Sequence, residues 1–129
     1  MARDGFRMRS APGEGTYHVL TGQTAPSGGY TAGQMVKLED TYGVIVSDAD
    51  SGDLVAVAYK IERIELPCNA ASTGEFALGE KVYIDTVNQI IVDSAAQSGL
   101  DVIGVVTKAP AAGATWVEIE FDGTLHIVA

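Results

Sequence analysis

One seventeen-residue stretch of the chain returns in weakened form 46 residues later, and this repeat constrains the fold more than any other feature. Residues 33–49 read GQMVKLEDTYGVIVSDA and residues 79–95 read GEKVYIDTVNQIIVDSA, with five identities at a constant offset. Each copy begins at a glycine, continues as an alternating strand, and passes through a polar turn into a β-branched run. That order is typical of a β-hairpin. The sequence therefore predicts two copies of one small β unit.

Further short strands are predicted outside the two units. Residues 16–20 form a first strand and residues 54–65 alternate apolar with polar side chains, while residues 21–29 are predicted to be an exposed loop. Residues 116–121 and 124–128 flank an Asp-Gly dipeptide, which suits a type I′ turn and predicts a last hairpin. Because so many short strands would leave exposed edges, we expect an all-β fold, a small β-barrel or β-tulip-like domain built from short hairpins.

Charge is distributed unevenly along the chain. Residues 1–9 contain three of the 8 basic residues and one of the 17 acidic ones, so this segment carries +2 and the rest carries −11. We predict that residues 1–15 form a flexible, extended basic N-terminal arm and that residues 16–129 form a single β domain. The alternative is a terminus without a function. An acidic body repels the phosphates of nucleic acid, and no run of about 18 apolar residues is present to span a bilayer. Neither nucleic acid nor a membrane is therefore expected as a direct partner.

Two motifs look like ligand-binding loops but are incomplete. Asp48, Asp50 and Asp53 alternate as at the start of a calcium loop, yet the twelfth position, which requires glutamate, is Tyr59. In residues 74–81, GEFALGEK, the glycine spacing fits a phosphate-binding loop, but the lysine comes one residue late and no Ser or Thr follows. The sequence therefore predicts neither a metal site nor a cofactor.

No set of side chains predicts catalysis. Glu118 and Glu120 are two residues apart on a predicted strand, as on a solvated sheet face. His18 and His126 lie at opposite ends of the chain and have no partners at metal-ligand spacing. Cys68 is the single cysteine, so it cannot form an internal disulfide, and no base flanks it, which favours a packing or surface role. We predict that the protein is not an enzyme.

From residue 33 onward, the order of short motifs resembles a family of tailed-phage capsid cement or decoration proteins. The similar segments are YGVIVSDA at 42–49, IELP at 64–67, LGEKVYID at 78–85 and VIGVV at 102–106. The chain departs from the family pattern at Cys68, where a lysine is common, and in its basic arm and longer tail. Members often carry a recombinase-like label, but a recombinase requires a phosphate-binding loop and a far larger fold.

The resemblance implies a non-enzymatic structural protein of the virion. It implies a homotrimer, made in the host cytoplasm, that binds the major capsid protein on the outer surface of the expanded head and stabilises the capsid. Within that reading we expect the arm to dock on the capsid through the side chains Arg3, Phe6, Arg7, Met8 and Arg9. The alternative is another virion module, a tail or host-adhesion accessory protein that binds through the loop at residues 21–29. A small ligand-binding barrel would need a polar cluster in a pocket, which the sequence does not offer.

Overall fold

Nearly all of the regular secondary structure in the described residues consists of antiparallel strands, as the alternation of the sequence predicts. The computed structural model describes residues 7–8, 17–72, 74–94 and 98–128. Within these ranges every pairing between strands is antiparallel, and none of the helices is long and apolar enough to cross a membrane. The elements are β1 (Arg7–Met8), β2 (Tyr17–Thr24), β3 (Met35–Leu38), β4 (Thr41–Ile45), β5 (Leu54–Pro67), β6 (Lys81–Asp85), β7 (Ile90–Val92), β8 (Asp101–Lys108), β9 (Trp116–Asp122) and α1 (Leu125–Val128).

The 14-residue strand β5 organises the sheet because both of its edges are paired along its length. Ala58 pairs with β2 on one edge and with β4 on the other. Further along, Ile61 pairs with β2 and with β9, and Glu65 pairs with β1 and with β9. Strand β4 therefore occupies the first half of one edge of β5 and β9 the second half, while β2 and β1 follow the opposite edge.

The sheet curls so that its two ends approach each other. Its strands follow the order β3-β4-β5-β9-β8-β6-β7. At the closing point, the side-chain amide of Gln89, in the β6–β7 turn, accepts a hydrogen bond from Met35 N and donates one to Met35 O, both at 2.7 Å. Cys68, just after β5, forms an isolated parallel bridge with Ile91 of β7. The predicted all-β class and barrel-like curvature are confirmed.

Two apolar clusters stabilise the curled sheet. The larger one fills its concave side with fully buried side chains from β4, β5, β8 and β9, among them Ile64, Ile103 and Phe121. The smaller one lies on the other face of the β3–β4–β5 region, where Ile45 and Val57 pack under Leu20 of β2. Neighbouring residues of β4 supply both clusters, because successive side chains of a strand point to opposite faces. The first half of β5 is therefore covered on both faces.

The sequence repeat corresponds to a repeated hairpin but not to a repeated three-stranded unit. Both copies form the predicted hairpins, β3–β4 around Glu39–Asp40 and β6–β7 around residues 86–89. In the first copy the returning strand β5 pairs with β4, the second strand of the hairpin. In the second copy the returning strand β8 pairs with β6, the first strand. The predicted repeat is therefore confirmed as a hairpin in each copy, and the strand that follows the hairpin pairs differently in the two copies.

The predicted C-terminal hairpin is wrong. Gly123 does not turn the chain back on β9, because its N–H donates to Tyr59 O at 2.7 Å and its carbonyl accepts from Tyr42 N at 3.0 Å. Asp122 Oδ1 accepts from the N–H and the hydroxyl of Thr124, and this local turn leads into the single helical turn α1. A Cβ on Gly123 would collide with Tyr42 O, so glycine is needed here for close approach rather than for a hairpin.

Candidate functional site

The residues that the sequence offered for chemistry are used for turns and packing. Asp48 Oδ1 accepts a hydrogen bond from Ala32 N at 2.8 Å, and Asp53 Oδ2 accepts one from Asp50 N at 3.2 Å. Among the described residues, no group of three or more His, Cys, Asp or Glu side chains is arranged to hold a metal ion. Asp53 thus stabilises its own backbone turn, as Asp side chains commonly do, and Asp48 joins the loop after β4 to the loop before β3.

The segment that resembles a phosphate-binding loop, residues 74–81, carries a negative charge at the position where phosphate binding requires a positive one. Glu80 Oε1 accepts from Ala77 N, and its Oε2 accepts from the N–H and hydroxyl of Ser94. Burial alone would raise the pKa of Glu80, but these hydrogen bonds outweigh it and hold that pKa below its usual value. Lys81 begins strand β6 rather than a helix. A carboxylate that stays ionised at this point repels phosphate.

Cys68 is buried and chemically protected. Its Sγ lies 3.7 Å from the carbonyl oxygen of Ala114, and burial together with the nearby Glu75 charge raises the pKa of its thiol to about 11. A thiol with that pKa is almost entirely protonated at neutral pH, and only the thiolate is a good nucleophile. Of the two roles that the sequence left open, the structure assigns packing.

A polar contact that the sequence did not indicate joins the first hairpin to strand β8. Tyr42 of β4 donates its hydroxyl hydrogen to Asp101 Oδ2 of β8 at 2.6 Å, and Lys37 Nζ lies 4.0 Å from the same oxygen. The ring of His126 packs edge-on against Tyr42 with ring centroids 4.9 Å apart. Burial and the Asp101 carboxylate raise the pKa of Tyr42 to about 12. The phenol therefore stays protonated and acts as a hydrogen-bond donor that links β4 to β8.

Successive side chains of strand β9 point alternately to the core and to the outer face of the sheet, as the alternation of apolar and polar residues predicts. Val117, Ile119 and Phe121 are buried, whereas Glu120 is exposed. Glu118 lies on the outer face with Glu120, and its Oε2 accepts from the Thr107 hydroxyl at 2.9 Å. The two carboxylates belong to a solvated sheet face rather than to a catalytic pair.

A groove of about 440 Å³ crosses this outer face where β5, β8 and β9 end. We call it the Trp116 groove. Its apolar lining is Trp116 with the connection between β8 and β9, and its charged lining is Glu65, Glu118 and Lys108. Neither the repeat nor any motif pointed to it, because it forms only when the ends of three strands meet. The nearest sequence signal is the small, apolar APAAGA segment at residues 109–114, directly before the tryptophan.

Of the predicted arm residues, the structure describes only the backbone of two. Arg7 and Met8 form β1 and pair with Glu65 and Ile64 of β5. Arg3, Phe6 and Arg9 lie outside the described residues, so their assigned role stays a prediction.

The loop predicted at residues 21–29 is shorter than expected. Strand β2 continues to Thr24, and Ala25 is buried, with its N–H bonded to Asp53 O.

Comparison with known proteins identifies what the β domain shares with others. A family model described as phage cement protein matches residues 15–121. Neither the search of curated proteins nor the search of solved structures finds a match. The matched region begins just before β2 and ends in β9, so it contains the strands of the curled sheet from β2 to β9 and leaves out both β1 and α1.

Proposed function

Because the chain belongs to the phage cement protein family, we propose that it binds the major capsid protein on the outer surface of the phage head and stabilises the capsid lattice. The family gives the protein a structural, capsid-associated role in the virion. The observation that carries the proposal is the match over residues 15–121, because it covers the curled sheet rather than one local motif. The polar side chains of this β domain stabilise turns and loops, which suits a protein that acts by binding other proteins.

The arm is proposed as one element that engages the capsid. It precedes the family-matched region, and it is basic where the rest of the chain carries −11. We assign capsid contact to the side chains of Arg3, Phe6, Arg7, Met8 and Arg9. A short extended segment loses conformational freedom when it binds, so its affinity per contact is modest. Repetition of the contact compensates, since linked binding events raise avidity by about 10²–10⁴.

Association into a homotrimer is part of the same proposal. Within the described residues, β2 pairs only with β5, so its outer edge presents backbone donors and acceptors toward the surroundings. Two exposed apolar side chains, Val19 on this strand and Leu54 opposite its end, lie in the same region. Unpaired strand edges with apolar neighbours are common sites of association between chains. We therefore place the contacts between copies on the β2 side of the body.

Co-sedimentation with expanded heads that lack decoration tests the proposed function. The full chain is expected to bind saturably, and a chain without residues 1–13 is expected to lose most of the binding while its far-ultraviolet circular dichroism still reports a folded β domain. A chain with Arg3, Arg7 and Arg9 replaced by alanine should bind weakly. The matched control is Arg63→Ala, which removes one exposed cation from β5.

Two results would contradict parts of this proposal. Equal binding by the full chain and the chain without residues 1–13 would remove the arm from the capsid interface and leave the β domain as the binding element. No binding by the full chain would contradict the head assignment and favour the alternative of a tail or host-adhesion accessory protein. Immuno-electron microscopy of intact virions would then locate the protein. Stabilisation has its own readout, the temperature at which decorated and undecorated heads release their DNA.

A further inference from the structure

The β6–β7 turn presents an apolar side chain to solvent. Val87 is 89% exposed, more than Val19, Leu54 and Leu78, the three other large apolar side chains that are exposed in the described part of the chain. Turn positions usually carry Gly, Asn, Asp or Ser, because these residues bond to the local backbone or tolerate its dihedral angles. Valine offers neither property. Its side chain therefore contributes to stability here only when a partner removes it from water.

The backbone that carries Val87 is fixed by hydrogen bonds on both sides. Asp85 Oδ1 accepts from Val87 N at 3.1 Å and from Asn88 N at 3.0 Å, and its Oδ2 accepts from Asn88 Nδ2 at 2.8 Å. The Gln89 side chain joins the same turn to the backbone of Met35 in β3. A side chain on a fixed backbone loses little conformational freedom when it binds, which favours a contact role.

Leu54 lies at the same end of the sheet, on the far side of the β3–β4 hairpin. Met35, to which the turn is bonded, pairs with Val44 of β4, and the next residue, Ile45, pairs with Val57 of β5. Leu54 begins β5 three residues earlier and is 74% exposed. From β3 to β5 the sheet extends over two strand spacings, about 10 Å. This end of the sheet therefore has an exposed apolar side chain at each of two borders.

A closed ring of three copies needs two different contact surfaces on each chain. Its interfaces are heterologous, so each copy offers one surface to the preceding copy and the other to the following copy. The proposed function places one of these surfaces on the β2 side, where Val19 and Leu54 are exposed. Of the other two exposed apolar side chains, Val87 follows β6 at the Leu54 end of the sheet, whereas Leu78 precedes β6 at its opposite end. Val87 is thus the better placed second surface.

We propose that Val87 of each copy packs against Leu54 of the next copy in the homotrimer. The inference rests on the homotrimer of the proposed function and names residues of its interface. Acidic side chains lie near both positions, Asp85 in the turn and Asp50 and Asp53 just before β5. The apolar contact therefore forms against electrostatic repulsion, and salt that screens this repulsion should strengthen it.

Crosslinking between engineered cysteines tests the pairing directly. The single native thiol, Cys68, is buried and its pKa is raised to about 11, so the parent chain serves as the blank. Chains that carry Leu54→Cys or Val87→Cys are coexpressed with different tags and treated with a short bis-maleimide. The two chains should crosslink to each other, and neither should crosslink to itself. The matched control is Leu78→Cys, at a similarly exposed apolar position, which should not crosslink to Leu54→Cys.

Two further measurements test ring closure and the apolar nature of the contact. A chain with both cysteines should give a product of three linked chains and none larger. In sedimentation equilibrium, Val87→Ser should raise the dissociation constant for each interface about tenfold, because a buried valine side chain is lost, and Leu78→Ser should leave the constant unchanged. Added sodium chloride should lower the dissociation constant of the parent chain.

Several results would overturn the proposal. Crosslinking of Leu54→Cys to its own kind would assign an isologous contact, and a dissociation constant unaffected by Val87→Ser would remove the turn from the interface. Association that weakens with added salt would point to ion pairs instead of an apolar contact. The crosslinking is also run on decorated heads, and absence of the expected product both there and in the free protein would overturn the pairing. Capsid binding is measured separately by co-sedimentation, so either proposal can fail while the other stands.

Discussion

The two hydrogen bonds between the Gln89 side chain and the Met35 backbone are expected to contribute strongly to the stability of the curled sheet. The Gln89 amide makes three hydrogen bonds: Oε1 accepts from Met35 N, and Nε2 donates to Met35 O at 2.7 Å and to Thr86 O at 2.8 Å. Met35 is 1% exposed, so water cannot easily replace the lost partners. Gln89→Ala leaves a buried N–H and a buried C=O unsatisfied, at about 1–3 kcal/mol for each group. After partial relaxation we expect a loss of about 2–4 kcal/mol in the free energy of unfolding.

Urea denaturation at one fixed protein concentration measures this loss. With a slope of about 2 kcal/mol per molar urea, Gln89→Ala should lower the midpoint by about 1–2 M. Amide hydrogen exchange gives a local readout, because the Met35 N–H should lose protection before the amides of β9 do. The matched control is Asn88→Ala in the same turn, whose side chain bonds to the half-buried Asp85 at the surface, and it should change stability by about 0.5 kcal/mol or less. An unchanged midpoint together with unchanged Met35 protection would refute the reasoning.

Three further predictions concern the core and its titratable groups. Tyr42→Phe should cost about 1–2 kcal/mol through loss of the hydrogen bond to Asp101. The pKa of Tyr42 in the folded protein is raised from 10.0 to about 12, so its contribution to the free energy of unfolding is complete below pH 10 and is lost as the pH rises from 10 to about 12. An absorbance titration of the phenol with parallel denaturation curves measures this loss. A phenol that titrates near pH 10 would contradict the prediction. Cys68 should react with a disulfide reagent at pH 8 only as fast as the protein opens, and rapid labelling of the native state would disprove its burial. Gly104→Ala should cost about 1–3 kcal/mol, because its Cβ would collide with the carbonyl of Glu120 on β9; a midpoint equal to that of the parent chain would show that the two strands separate easily at this point.

Part of the candidate binding surface was predictable and part was not. The basic arm follows from composition alone, because three arginines in nine residues stand out against an acidic chain. The Trp116 groove was not predictable, since Glu65 and Glu118 are far apart in sequence and become neighbours only through the pairing of β5 with β9. The same holds for Tyr42 and Asp101, which belong to the first hairpin and to strand β8. Contacts of this kind depend on which strand edges meet, and local periodicity carries no information about that.

The sequence by itself determined the structural class, the two repeated hairpins and the inward face of β9. These features depend on side chains that alternate with a period of two and on polar turn residues, both of which are local. Only the tertiary structure decided that β5 pairs with β4 whereas β8 pairs with β6, and that Gly123 joins Tyr42 to Tyr59 instead of turning a hairpin. The physical reason is that a backbone N–H can donate to any correctly placed acceptor, and a backbone C=O can accept from any correctly placed donor. The choice among partners is therefore made by packing of the whole sheet, not by the residues beside them.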